Sequence, residues 1–354
     1  MSAMPSFAIG VDLGGTNLRI AAVDEQGALL EKVTLGTQVA RGRDHVIAEM
    51  CDAIRELSAK FSRAGHMIGA GIGVPGIIDQ RTSMLRESPN LPGWHNYPVR
   101  DEIERRLGAP VILENDANAA AMGEAWLGAA RGMDSMCMIT LGTGVGGGIV
   151  LNGKIWHGMT GMAGEVGHMT IDPGGPHCNC GNTGCVEQFA SATAVMRMAR
   201  EAIANRGAPQ LARAANASDV EFSAKVVYNL AIQGDRPARD IFNRAGWALG
   251  VLIADLVNML NLNMYVIGGG VAAAWSVFSP AMFDEVRKRS MVYVATAPVE
   301  AVAPPAGASA DAAAETTGQS TVITRALLGS DAGLYGAARL PMMTGEKSAN
   351  RQIA

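Results

Sequence analysis

Three cysteines and a histidine lie close together in the middle of the chain, with a spacing typical of a metal site. Cys178, Cys180 and Cys185 form a C-x-C-x₄-C pattern, and His168 precedes them. Three thiolates and an imidazole complete a tetrahedral shell for Zn²⁺, and such a shell leaves no position for water, so the predicted zinc is structural. The alternatives are buried free cysteines, or His177 as the fourth ligand. His177 is adjacent to Cys178, and neighbouring side chains diverge, which favours His168.

Two glycine-rich turns have the composition of phosphate-binding loops. Glycines let backbone N–H groups approach phosphate oxygens, and the strand-end carboxylate of Asp12 could hold Mg²⁺ directly or through water. The alternative for the first turn is a simple glycine hairpin, but a second, similar turn favours a polyphosphate held between two hairpins. Neither turn matches a P-loop or a Rossmann fingerprint. The residues of the two turns are Gly14, Gly15, Thr16, Gly142, Thr143 and Gly144.

A third polar cluster, Glu114-Asn115-Asp116, lies where a predicted strand gives way to a predicted helix. An ionised Asp116 could accept a proton from an attacking hydroxyl. The alternative is that Asp116 only caps the helix, and local sequence alone favours that interpretation.

The elements that must position these residues alternate between strands and helices, which predicts an α/β architecture. A length of 354 residues suggests two lobes. Asp44 is a candidate N-cap for the first helix. Predicted strands cover residues 7–12, 18–23 and 28–34, which are expected to form an antiparallel meander, and residues 68–74, 111–113 and 263–267. Residues 136–150 are predicted to form a second strand–glycine turn–strand unit. Predicted helices cover residues 44–64, 117–126 and 245–260.

The C-terminal region contains one segment of different composition. Residues 303–320 carry no large apolar side chain, so we expect a flexible surface insertion there. Residues 321–328 and 332–340 are predicted to resume helical structure.

Composition and charge exclude several classes of protein. A net charge of −4 offers nothing that would attract a nucleic-acid backbone or an anionic membrane. No apolar run reaches the ~18 residues of a membrane span, and the N-terminus does not resemble a signal peptide. Five cysteines do not form a disulfide framework. We therefore expect a soluble cytoplasmic protein.

Together these motifs resemble the ROK family of bacterial sugar kinases and sugar-responsive repressors. The match includes Gly-Glu-x-Gly-His ending at His168 and Cys-x-Cys-Gly-x-x-Gly-Cys-x-Glu ending at Glu187, and it extends over residues 7–340. The segment from Ser88 to Trp94 looks like the sugar-contacting segment of the glucokinase branch. The insertion at residues 303–320 is longer than the family pattern.

The resemblance implies a two-lobed actin-like/hexokinase-like (ribonuclease H-like) ATPase fold, with ATP and Mg²⁺ in a cleft between lobes. The small lobe would comprise residues 1–117, completed by a C-terminal helix near residues 330–342. The large lobe would comprise residues 118–329, including the zinc segment at residues 168–185. The implied reaction transfers the γ-phosphoryl group of ATP to O6 of a hexose, and a homo-oligomer (dimer or tetramer) is expected.

The resemblance also implies roles for individual residues. Asp116 matches the base, and Gly269 matches the turn beside the adenosine. The turn glycines and threonines match the two phosphate loops. The sugar-contacting positions are Asn90, Asn115, Asp116, Glu165, His168 and Glu187.

Three functional hypotheses follow from the sequence. A glucokinase is favoured. A ROK kinase for mannose, fructose or N-acetylmannosamine is the first alternative, and the phosphoryl donor stays open between ATP and polyphosphate. A sugar-sensing repressor is less favoured, because the six residues before Phe7 are too few for a DNA-binding motif.

Overall fold

The structure, a computed structural model, describes residues 5–88, 90–217, 221–298 and 320–351. Within these ranges no helix combines the length and the apolar character needed to cross a bilayer. Residues 303–319 of the predicted insertion lie outside the described residues.

The first sheet has five strands in the order β3-β2-β1-β4-β7. β1 (Ser6–Leu13), β2 (Asn17–Asp24) and β3 (Leu29–Gly36) form the predicted antiparallel meander, and β4 (His66–Val74) and β7 (Val111–Asn115) run parallel to β1. The carboxyl ends of β1, β4 and β7 therefore share one edge of the sheet.

The second sheet has the order β10-β9-β8-β11-β12. It contains β8 (Met136–Leu141), β9 (Val145–Leu151), β10 (Lys154–Ile155), β11 (Met264–Gly268) and β12 (Val322–Arg325), and β11 runs parallel to both β8 and β12. Like the first sheet, it begins with consecutive neighbouring strands joined by a glycine turn and continues with parallel strands. Two further strands, β5 (Ile77–Asp79) and β6 (Met84–Glu87), form a small ribbon.

Helices connect these strands, and four of them, α1, α3, α8 and α11, cover segments that were predicted to be helical. Their bounds are α1 (Arg43–Phe61), α2 (Val99–Leu107), α3 (Asp116–Trp126), α4 (Glu187–Ala190), α5 (Ala192–Ala204), α6 (Pro209–Ala215), α7 (Ala224–Ile232), α8 (Arg236–Leu260), α9 (Trp275–Arg289), α10 (Met291–Thr296) and α11 (Ala332–Arg351).

Two local predictions were wrong. Residues 321–328 were expected to be helical, but Val322–Arg325 forms β12, because a run rich in β-branched residues pairs with the edge of β11. Asp44 does not cap α1; the N-cap is Gly42, and no side chain makes the capping hydrogen bond.

By contact the chain divides into two compact units. Unit 1 comprises residues 1–134, 148–164 and 327–354, and unit 2 comprises residues 135–147 and 165–326. The boundary expected between residues 117 and 118 lies inside unit 1, after the second residue of α3.

Close helix packing explains why α3 belongs to unit 1. A Cβ added to Gly336 of α11 would overlap the carbonyl oxygen of Ala119, so the backbones of α3 and α11 touch. The buried carboxylate of Glu124 on α3 accepts hydrogen bonds from Leu327 N at 3.1 Å and Leu328 N at 2.8 Å. These contacts bind the C-terminal helix to the N-terminal part of the chain.

Candidate functional site

In unit 1, polar residues gather at the carboxyl edge of the first sheet. Asp12 of β1 is in register with Gly73 of β4, and Gly73 is in register with Glu114 of β7. Gly333, in the first turn of α11, lies beside the same edge: its Cβ position is 3.7 Å from the Asp12 carboxyl carbon and 3.9 Å from the Asp116 carbonyl oxygen. Strand register and one glycine thus place Asp12 near the start of α3.

Asp12 pairs with Arg19 on the neighbouring strand. Arg19 Nη1 donates to Asp12 Oδ2 at 3.0 Å, and also to the carbonyl oxygen of Ser330 at 3.2 Å. Burial raises the pKa of the Asp12 carboxyl group, and Arg19 partly offsets that rise. Arg19 was not predicted from the sequence, although its place on β2 opposite Asp12 follows from the hairpin.

The first glycine turn is held by hydrogen bonds and lies against Asn90. Gly14 N donates to the carbonyl oxygen of Asn17 at 2.9 Å, and the Thr37 hydroxyl donates to the Gly14 carbonyl oxygen at 2.6 Å. The Cβ position of Gly15 is 3.1 Å from the carbonyl oxygen of Asn90. A larger residue at position 15 would therefore displace a predicted sugar-contacting residue.

Asn115, rather than Asp116, is the N-cap of α3. Its Oδ1 accepts hydrogen bonds from Ala117 N at 2.9 Å and Asn118 N at 3.1 Å. Its Nδ2 donates to the carbonyl oxygen of Gly76 at 3.2 Å. Asp116 is the first helical residue. Ala117 N, which donates to Asn115, also donates to Asp116 Oδ1 at 2.9 Å. The interpretation of Asp116 as only a cap is thereby corrected.

Glu114 lies at the centre of a buried cluster that the sequence did not reveal. Its side chain is 3% exposed, and its Oε2 lies 2.7 Å from Nε2 of His157. The Glu114 carboxylate raises the pKa of His157. Because 43 residues separate this pair along the chain, no local pattern could indicate it.

In unit 2, the second glycine turn is held from two directions. Gly142 N donates to the Gly144 carbonyl oxygen at 2.9 Å, and the Thr193 hydroxyl at the start of α5 donates to the Thr143 carbonyl oxygen at 2.8 Å. Gly269, in a left-handed conformation with φ of 86°, lies against the backbone of Leu141, where a Cβ would clash. The predicted nucleotide-side residues of unit 2 are thus neighbours.

The four predicted metal ligands converge. Their ligand atoms all lie within 4.8 Å of one another, with 3.7 Å between His168 Nδ1 and Cys178 Sγ and 3.7 Å between the sulfurs of Cys180 and Cys185. Tetrahedral zinc with bonds of about 2.3 Å separates two sulfur ligands by roughly 3.8 Å, so the donor set fits Zn²⁺. His177 lies outside this group of four.

The environments of the thiols differ. A backbone hydrogen bond at Asn182 lowers the pKa of Cys180, whereas burial and the neighbouring thiols raise that of Cys185 to about 12. Three thiolates together therefore need the charge of a bound cation to offset their repulsion.

Two glutamates lie beside the predicted metal ligands, and one of them also contacts the second glycine turn. Glu165 Oε2 lies 3.9 Å from His168 Nε2, the ring nitrogen other than the one near Cys178. Glu187 Oε2 accepts a hydrogen bond from Val145 N at 2.9 Å, and its Oε1 lies 4.0 Å from Cys178 Sγ. Glu187 therefore touches both the second glycine turn and the metal cluster.

A family model described as the ROK family matches residues 8–342, which include all of these residues. The chain belongs to the ROK family. The resemblance inferred from the sequence motifs is therefore confirmed.

Members of the ROK family with sugar-kinase names are similar to the chain over most of its length. A glucokinase from Thermotoga maritima is 41% identical over 286 residues, covering 81% of this chain and 87% of that protein. A ROK hexokinase from Thermus thermophilus has a TM-score of 0.75 and 31% identity, covering 96% of this chain and 99% of its own. A ROK family glucokinase from Streptomyces griseus, in complex with glucose and AMPPNP, has a TM-score of 0.69 and 32% identity, covering 94% and 98%. The chain has the α/β fold of the ROK sugar kinases.

The ROK site residues predicted from the sequence fall into two sets, one in each unit. The set in unit 1 contains Asp12, Gly14, Gly15, Thr16, Asn90, Asn115 and Asp116. The set in unit 2 contains Gly142, Thr143, Gly144, Glu165, His168, Cys178, Cys180, Cys185, Glu187 and Gly269. Each set is held together by contacts inside its own unit.

Proposed function

We propose that this protein is an ATP-dependent sugar kinase that phosphorylates glucose at O6. The observation that carries the proposal is the start of α3, where Asn115 supplies the helix cap, so the cap does not account for a carboxylate at position 116. The similarity to the Thermotoga maritima glucokinase over 81% of the chain supports the choice of glucose.

In unit 1, we assign the acceptor side of the reaction to Asp116. Its carboxylate accepts the O6 proton as the hydroxyl attacks the γ-phosphorus in line. Asn90 and Asn115 contact other sugar hydroxyls. Because one amide hydrogen of Asn115 is donated to Gly76, its contact with the sugar uses the second.

The phosphoryl donor side uses the two glycine turns. Backbone N–H groups of residues 14–16 and 142–144 stabilise phosphate oxygens, and Gly269 lies beside the adenosine. Asp12 is suited to hold Mg²⁺ through water, since Arg19 already pairs with one of its carboxylate oxygens. The Streptomyces griseus glucokinase with glucose and AMPPNP supports ATP as the donor.

The zinc site serves recognition of the sugar. His168, Cys178, Cys180 and Cys185 would hold Zn²⁺, which would cross-link this part of the chain. The Nδ1 atom of His168 faces the thiols, and its Nε2 atom lies near Glu165. We therefore assign Nε2 and the Glu165 carboxylate to contacts with sugar hydroxyls. Glu187 contributes a further acceptor beside them.

The proposal also covers the location and the partners of the protein. The protein would work in the cytoplasm as a homo-oligomer, with a small-molecule substrate and without nucleic acid or membrane partners. The net charge of −4 is consistent with the absence of nucleic-acid and membrane partners.

A coupled-enzyme assay tests the function directly. We expect ATP-dependent formation of the 6-phosphate with a kcat/KM for glucose at least about tenfold above that for mannose, fructose or N-acetylmannosamine, since one or two hydroxyl contacts discriminate by that much. Polyphosphate is tested as a second donor. Sugar binding without phosphoryl transfer from either donor would contradict the proposal and favour a sugar-sensing repressor.

A further inference from the structure

Glu114 joins His157 to the first turn of α3. The carboxylate is 3% exposed, and its Oε2 lies 2.7 Å from His157 Nε2. Its other oxygen, Oε1, accepts hydrogen bonds from Asn115 N at 2.9 Å and from Asn118 Nδ2 at 3.0 Å. One carboxylate therefore contacts the loop that follows β10 and both sides of the strand-to-helix junction.

The contacts of Glu114 bracket Asp116. Asn115 precedes Asp116 and caps the helix, and Asn118 follows it by two residues. A movement of the Glu114 carboxylate would therefore displace the backbone on both sides of Asp116. The reaction requires the Asp116 carboxylate to be close to the acceptor hydroxyl, and a displacement of about 1 Å can lower a rate by about a hundredfold.

His157 holds the second oxygen of the Glu114 carboxylate, the one that Asn115 and Asn118 do not contact. A buried carboxylate without a partner is strongly unfavourable, and of the described residues His157 is the ionisable one within an ion-pair distance of it. Neutral or protonated, the imidazole can donate its Nε2 hydrogen to Glu114. The raised pKa of His157 shows that the carboxylate favours the protonated form.

We propose that His157 is a positioning residue for catalysis, acting through Glu114 to hold the first turn of α3 and thereby the carboxylate of Asp116. The proposal rests on the proposed kinase function, because it assumes that Asp116 accepts the proton. It adds a residue that lies outside the sugar, nucleotide and metal contacts described above.

Two substitutions separate the hydrogen bond from the volume of the ring. His157→Phe keeps a ring but cannot donate, so we expect kcat to fall about 10- to 100-fold while the KM for glucose changes less than about threefold. His157→Gln can place an amide donor near the position of Nε2, and we expect it to restore kcat to within about threefold of the parent. Should His157→Phe fail to fold, His157→Asn replaces it, since the shorter amide does not reach Glu114.

A matched control comes from a second histidine–carboxylate contact in unit 1. His45 Nε2 lies 3.3 Å from Glu49 Oε2 on α1. We expect His45→Phe to leave kcat within about twofold, since the Glu49 carboxylate is 30% exposed, against 3% for Glu114, and lies on α1, which carries none of the site residues described above. Equal losses in His45→Phe and His157→Phe would overturn the proposal, as would a kcat for His157→Phe within twofold of the parent.

Amide hydrogen exchange gives a readout that is independent of turnover. We expect faster exchange at residues 115–118 in His157→Phe, with the parent rate regained in His157→Gln, because local opening follows the loss of buried hydrogen bonds. Unchanged exchange at these residues would overturn the proposal even if kcat falls. A parent that phosphorylates no hexose would refute the proposed kinase function instead, while the exchange rates would still report whether His157 holds α3.

Discussion

The two sets of candidate site residues are held by different means. In unit 1, Asp12 and Glu114 occupy register positions on parallel strands, and Asp116 begins a helix capped by Asn115. In unit 2, Glu165 and His168 flank and end a single 3₁₀ turn, Val166–His168, between β10 and α4. Backbone hydrogen bonds position the first set, whereas the second set includes four side chains whose ligand atoms converge within 4.8 Å of one another, as a metal site requires.

This difference predicts different effects of substitutions in the two units. Strand register survives the loss of one side chain, so substitutions in unit 1 should alter chemistry with little effect on folding. Metal binding contributes directly to local folding, so loss of one ligand in unit 2 should alter several contacts together. Substitutions in the two units test this contrast.

Asp116→Asn should have the largest effect on turnover and almost none on stability. Asn115 keeps the helix cap, but an amide cannot accept the O6 proton, so we expect kcat to fall by at least about two orders of magnitude. Steady-state rates, a direct glucose titration and a melting curve measure this. The control is Asp44→Asn, which changes an acidic residue in the first turn of α1 and should be neutral. A folded Asp116→Asn protein that binds glucose and retains a tenth of the parent rate would remove Asp116 from the mechanism.

Cys180→Ser should lose zinc and weaken sugar binding. We expect the parent to carry about one zinc per chain, and the variant to show a KM for glucose raised about 10- to 100-fold, because His168 loses its anchor. The KM for ATP should change less, since α5 also holds the second glycine turn.

Elemental analysis beside the kinetic measurements checks this prediction. Cys51→Ala, which alters a buried cysteine outside the cluster, should retain the metal. A parent protein that contains no zinc and is fully active would show that unit 2 does not depend on a metal. The two units would then not differ in how their site residues are held.

Gly144→Ala should disturb Glu187 without removing any functional group. A Cβ at position 144 would overlap Glu187 Oε2, which accepts the hydrogen bond of Val145 N. Loss of this charge-assisted bond should raise the KM for glucose by about tenfold. Gly36→Ala, whose Cβ would meet nothing closer than 4.0 Å, is the control. Unchanged sugar affinity, measured by calorimetry, would show that Glu187 is not held by the glycine turn.

Deleting residues 303–320 should have the smallest effect. The segment has almost no apolar surface to bury, and its flanks already meet, because Thr321 N donates to the Thr296 carbonyl oxygen at 2.8 Å. With a short flexible linker, we expect kcat and Tm close to those of the parent, since loop length changes closure entropy only slowly. A large rise in the KM for ATP in the shortened protein would assign the segment a role at the nucleotide.

The sequence allowed much of the fold and the metal cluster to be predicted, because those features depend on local patterns. Apolar periodicity indicated α1, α3 and α8, and the spacing of the cysteines indicated the ligands. The prediction failed at β12, where pairing with β11 overrides local preference. No local pattern indicated that α3 packs against α11, because these helices are about two hundred residues apart in the chain.

The residue types available for chemistry follow from the sequence alone: the four predicted metal ligands, the two glycine turns and the Glu114–Asp116 run. Which of these side chains already have partners, and which residues those partners are, follows from the folded structure. It made Asn115 the cap of α3, paired Asp12 with Arg19, and brought His157 to Glu114. The physical reason is that spacing within a turn or ligand loop is set by neighbouring covalent geometry. The partner of a buried charge, in contrast, is set by which distant strands and helices pack around it.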